Sequence, residues 1–153
     1  MKPKLLFFIG LVLIRGCTLC PAQGQKSEIQ IRFEALSQIE SCDDDLAVGK
    51  AGEVSRYQII PSLWKQFGNF KVFPLDHPEQ VRDISPTNAG DAFGVTYDIQ
   101  WHRQEKFEAK YHREPTDSEW YYLWNKPKYV LHPTPKMIER AVRFTNLIHY
   151  YEK

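Results

Sequence analysis

Residues 40–61 read Glu40-Ser41-Cys42-Asp43-Asp44-Asp45-Leu46-Ala47-Val48-Gly49-Lys50-Ala51-Gly52-Glu53-Val54-Ser55-Arg56-Tyr57-Gln58-Ile59-Ile60-Pro61. Just upstream, Ile29, Phe33, Leu36 and Ile39 recur at spacings of four, three and three. That is one apolar face of a helix over 27–41, with Ser27 as N-cap. The helix stops near Cys42, where Asp43, Asp44 and Asp45 oppose the negative end of its dipole. Gly49, Gly52 and small residues follow, which predicts a loop with a small β element near 46–58. Pro61 suits the first turn of a short helix over 58–67.

Further along, residues 68–85 carry Pro74 and Pro78 and read as irregular. Residues 91–112 have helical aromatic spacing through Tyr97, Trp101, Phe107 and Tyr111. Thr116-Asp117-Ser118-Glu119 is a capping box that opens a helix through Trp124, and Lys126-Pro127 ends it. Thr134-Pro135 opens a last helix with the stripe Ile138, Ala141, Phe144, Ile148 and Tyr151. No strand alternation persists beyond a few residues, so the class is mainly α (α+β), helices with a small β-hairpin element.

Composition narrows the function. Among 153 residues the net charge is +1, too small an excess to neutralise a nucleic-acid backbone. Nucleic acid is therefore no expected partner. The histidines His77, His102, His112, His132 and His149 lack metal-ligand spacing, and no phosphate-cradling glycine motif occurs, so no metal or cofactor is expected.

The N-terminus reads as an export signal over 1–24. Lys2 and Lys4 precede an apolar run from Leu5 to Ile14, a length that suits a signal core and is too short to cross a bilayer. Cleavage after Ala22 or after Gly24 fits the small-residue pattern. A lipobox reading of Ile14-Arg15-Gly16-Cys17 ranks second because Arg15 suits it poorly. The expected product, residues 25–153, is one secreted or periplasmic domain with no membrane span. It keeps Cys42 alone and so has no internal disulfide.

The Glu40–Pro61 stretch resembles the lysozyme-like superfamily, in its lytic transglycosylase (SLT) and goose-type lysozyme branch. That family shows Glu-Ser at a helix end, then Ala-Val, then G-x-x-G-L-M-Q-I-x-P, and later Y-N-x-G. This chain matches at Glu40, Ser41, Ala47, Val48, Gly52, Gln58, Ile59 and Pro61, and Trp124-Asn125 resembles the later aromatic-Asn pair. The resemblance covers 29–67 well and 116–150 loosely. Ser55 stands where the family has its second glycine, Arg56 where it has leucine, and Lys126-Pro127 where the last glycine is usual.

The resemblance implies a peptidoglycan-cleaving glycosidase acting on the β-1,4 bond between N-acetylmuramic acid and N-acetylglucosamine. Glu40 is the expected acid. A carboxyl at a helix end facing an apolar cleft loses hydration, stays protonated and can give its proton to the leaving oxygen. Glu53, beyond the glycine loop, is the candidate second carboxylate of a hydrolase. The transglycosylase branch uses one Glu as acid and then as base. The aspartates 43–45 read as a solvated turn. Ser41, Tyr57, Gln58, Ile59, Trp124 and Asn125 are the expected substrate contacts: the amides for sugar hydroxyls, the rings for sugar faces or for the core. The alternative is a non-catalytic module that keeps the cleft to bind glycan or a protein, which Ser55 and Lys126 motivate.

Overall fold

The computed structural model describes residues 26–69, 71–72 and 82–153. The residues assigned to the export signal lie outside them. Among the described residues five α-helices carry the fold: α1 (Glu28–Ser41), α2 (Pro61–Phe67), α3 (Ala89–Tyr111), α4 (Asp117–Asn125) and α5 (Pro135–Tyr151). The chain is mainly α.

The core is built around α4. Thr116 and Glu119 form the capping box that starts it, and Trp120, Tyr121, Tyr122, Leu123 and Trp124 are all buried. A helix that is apolar on every side belongs inside other helices, and α4 packs on both α3 and α5. Trp120 stacks on Phe144 of α5 with ring centroids 5.5 Å apart. It also meets Phe33 of α1 edge-on at 5.5 Å. Truncating a ring buried in this way to alanine costs about 3–5 kcal/mol.

The surrounding helices each offer one face to this centre. In α1, Ser27 and Gln30 form a reciprocal cap, and Ile31, Phe33, Ala35 and Leu36 are buried while Ile29 and Ile39 flank them. In α5 the inward stripe is Met137, Ala141, Phe144 and Ile148. Ile138, expected on that stripe, is 45% exposed. It precedes Ala141 by three positions and Met137 precedes it by four, and the packing selects Met137. In α3 the buried face is Ala92, Val95, Thr96, Ile99, Gln100 and Phe107, which leaves Tyr97 and Trp101 on the outer side.

The short β element near 46–58 takes the form of single bridges, Val48 to Val54 and Val54 to Ile59. The helix predicted from Gln58 begins only at Pro61. Gln58 adopts a left-handed φ of 52° and Ile59 exchanges two 2.9 Å backbone bonds with Val54, so the chain is still in the β element there. The segment expected to be irregular contains a two-residue antiparallel ladder, β1 (Lys71–Val72) against β2 (Arg82–Asp83). Two residues are too few for a period to show in sequence. Among the described residues no helix is long and apolar enough to cross a membrane.

Candidate active site

Glu40 lies in the last turn of α1. Cys42 closes that helix in a left-handed conformation (φ 58°), and the Asp43 amide reaches back to the Ser37 carbonyl at 3.3 Å. The chain therefore turns sharply just after Glu40 and aims its side chain between helices. The carboxyl is 9% exposed. The Tyr121 hydroxyl donates to Oε1 at 3.2 Å and Arg140 Nη2 donates to Oε2 at 3.0 Å. Arg140 also reaches the Ile39 carbonyl at 3.4 Å.

Burial raises the pKa of Glu40 above the ordinary carboxylate value, and the Arg140 charge and the two hydrogen bonds pull it partly back. Desolvation is the largest effect, so the net direction is upward. The Glu53 charge adds a last, smallest push upward. Burial and the Glu40 charge together hold the Tyr121 hydroxyl well above its usual range. Tyr121 is therefore a neutral donor at any working pH.

A cavity of about 560 Å³ opens beside this carboxyl. Its lining includes Glu40, Glu53, Gln58, Ile59, Trp124 and Asn125. Six of the eight residues singled out in the sequence thus meet around one space, brought there by the ends of α1 and α4 and by the β element. Beyond the turn at Cys42 and Asp43, the loop owes its path to three further left-handed residues, Gly52 (φ 81°), Ser55 (φ 70°) and Gln58 (φ 52°). Ser55 takes a conformation that glycine adopts more cheaply. Its Oγ accepts the Tyr57 amide at 3.3 Å. A Cβ at Gly49 would lie 2.2 Å from Glu53 Oε2 and 2.5 Å from Gln58 Oε1, so the glycine leaves room for the ends of those two side chains. Gln58 Nε2 donates to the Ser55 carbonyl at 3.1 Å, and the Ala51 amide donates to Glu53 Oε2 at 2.9 Å.

The other two candidates do not line the cavity. Tyr57 is buried, edge-on to Phe33 at 5.9 Å, and burial pushes its hydroxyl up to about 12. It is a core residue that anchors the loop. Ser41 Oγ donates to the Arg56 carbonyl at 2.8 Å and accepts the Asp44 amide at 3.1 Å, pinning both ends of the loop to α1. The aspartates are likewise spent on the turn. Asp43 bonds to the Ser37 hydroxyl, Asp44 caps Leu46, and Asp45 grips Arg56 through two bonds of 2.6 and 2.8 Å. That ion pair ties Arg56 to the turn.

Trp124 serves core and cavity at once. It is buried, lines the cavity, and carries the Arg103 guanidinium over its ring at 5.5 Å. Arg103 Nη1 also donates to the Leu123 and Trp124 carbonyls at 2.9 and 2.6 Å. Desolvation lowers its pKa to about 10, so it remains a cation. It ties the C-terminal end of α4, and with it Asn125, to α3.

Sequence reading missed Tyr121, Arg140 and Arg103. For Tyr121 a signal existed: it lies one helical turn before Asn125, on the same side of α4. Nothing in the local pattern marks Arg140, which is a hundred positions from Glu40. Among the described residues no cluster of three or more His, Cys, Asp or Glu side chains could hold a metal. No family model, curated protein or solved structure matches the chain.

Proposed function

We propose that this protein is an exported, lysozyme-like enzyme that cleaves the β-1,4 bond between N-acetylmuramic acid and N-acetylglucosamine in peptidoglycan, with Glu40 as its acid. The observation that carries the reading is the buried Glu40 carboxyl at a helix end, facing a cavity shared with Gln58 and Asn125. Desolvation favours the protonated form, which general-acid catalysis needs. Glu40 gives its proton to the glycosidic oxygen as the bond to C1 breaks. The resulting carboxylate is stabilised by Tyr121 and Arg140 and takes a proton back from the incoming nucleophile. That nucleophile is the sugar's own 6-hydroxyl, which closes an anhydro ring, or a water.

Glu53 lines the same cavity as Glu40 and is the candidate second carboxylate of a hydrolytic route; its Oε2 accepts the Ala51 amide at 2.9 Å. Gln58 and Asn125 offer amides for the sugar's hydroxyl and N-acetyl groups. Digestion of purified cell walls followed by mass spectrometry tests the reading. Muropeptide release by the wild type and none by Glu40→Gln is expected, and the mass of the sugar end separates an anhydro from a reducing product. Equal release by both proteins overturns the assignment.

A second reading, a binding module without chemistry, draws on the Arg140 contact, since a guanidinium on a carboxyl favours its ionised form. It predicts co-sedimentation with cell walls and no release.

A further inference from the structure

The cavity is strongly cationic in a chain that is close to neutral. Lys50, Arg103, Lys126, Lys136 and Arg140 line it against two carboxylates, Glu40 and Glu53, while the whole chain carries only +1. The excess is concentrated at one end. Past Asn125 the cavity continues into a second space of about 190 Å³, lined by Asn125, Lys126, Thr134, Lys136, Met137 and Arg140, with no acidic residue. Arg140 is committed to Glu40. Lys126 and Lys136 are exposed, and among the described residues neither ammonium has an ion-pair partner. Like charges held side by side repel, and a cavity lined by them lowers the energy of an anion placed between them.

We propose that this end of the cleft, formed by Lys126 and Lys136, is a subsite for a carboxylate carried by the glycan strand. The proposal rests on the peptidoglycan reading and names the form of substrate preferred: strands whose peptide stems keep free carboxylates, over uncharged strands.

The test uses the full chain carrying Glu40→Gln, so that binding is read without cleavage. Its affinity is measured for three probes: stem-bearing strands with free carboxylates, the same strands after chemical amidation, and a neutral N-acetylglucosamine oligomer. Free-carboxylate strands are expected to bind about tenfold more tightly than amidated ones. The preference should shrink as salt rises from about 0.05 to 0.2 M. Adding Lys126→Ala and Lys136→Ala should bring it near unity, whereas adding Lys110→Ala, outside both spaces, should keep it. Equal binding of free and amidated strands overturns the subsite and leaves the enzyme reading standing. Failure to bind any of the three overturns the peptidoglycan reading itself. A preference that persists in the double lysine variant overturns the assignment to Lys126 and Lys136.

Discussion

Glu40 and Arg140, one at the end of α1 and the other on α5, meet at 3.0 Å, and Tyr121 of α4 holds the other carboxyl oxygen at 3.2 Å. Three helices thus converge on one carboxyl. Each partner lowers the proton affinity that burial raises, and burial wins.

Glu40→Gln keeps the shape of the side chain and removes its transferable proton. Cleavage should fall by at least about 10²-fold. Stability should not fall. A carboxyl whose folded pKa is raised contributes stability that is fully present below its unfolded value of 4.5 and is lost as pH rises through the folded value. The glutamine variant carries no such loss, so its Tm relative to wild type should climb with pH across that window. Melting curves on both proteins from acid to mildly alkaline pH check this.

The pH profile of catalysis carries the same sign. The acid must be protonated, so kcat/KM should fall as pH rises through the raised pKa of Glu40. Arg140→Met removes the largest influence that lowers this pKa. The alkaline limb should therefore move to higher pH in the variant. A limb that stays in place or moves down would show that Arg140 does not act on Glu40.

Gly49→Ala separates cavity shape from fold. The new Cβ would collide with the far ends of the Glu53 and Gln58 side chains, both of which can rotate away. Tm should change little, while activity should drop roughly tenfold to a hundredfold as Gln58 loses its place. Comparison of thermal melting with muropeptide release decides the point, and a large loss of Tm with activity retained would make Gly49 structural only.

The capping box of α4 tests how the cavity wall is supported. Glu119 accepts the Thr116 amide at 2.9 Å and pairs with Arg113, which brings its pKa down to about 2. A depressed carboxylate contributes stability that is present above its unfolded value and lost as pH falls toward the folded one. Glu119→Ala should lower stability by about 1 kcal/mol at neutral pH, and the gap to wild type should close between about pH 4.5 and pH 2. Urea titrations at several pH values would read it.

Much of the site was legible because its parts lie on short, rule-bound segments. Glu40 stands where an apolar stripe ends, Gln58 follows the glycine turn, and Asn125 ends the helix that Thr116 caps. Tyr57 and Ser41, expected as substrate contacts, lie outside the cavity lining, because a ring or a hydroxyl next to a site has the same local pattern whether it faces cavity or core. Which way Tyr57 points depends on Phe33, twenty-four positions earlier.

By itself, the sequence determined the helical class, the caps of α1, α4 and α5, and the turn that ends α1 beside Glu40, since periodicity, capping and backbone propensity act within a few residues. Only the tertiary structure decided that Arg140 and Tyr121 grip the acid, that Arg103 holds the end of α4, and that Lys126 and Lys136 gather at one end of the cleft. Those outcomes depend on how α3, α4 and α5 pack, and no local period records the rotation of one helix against another.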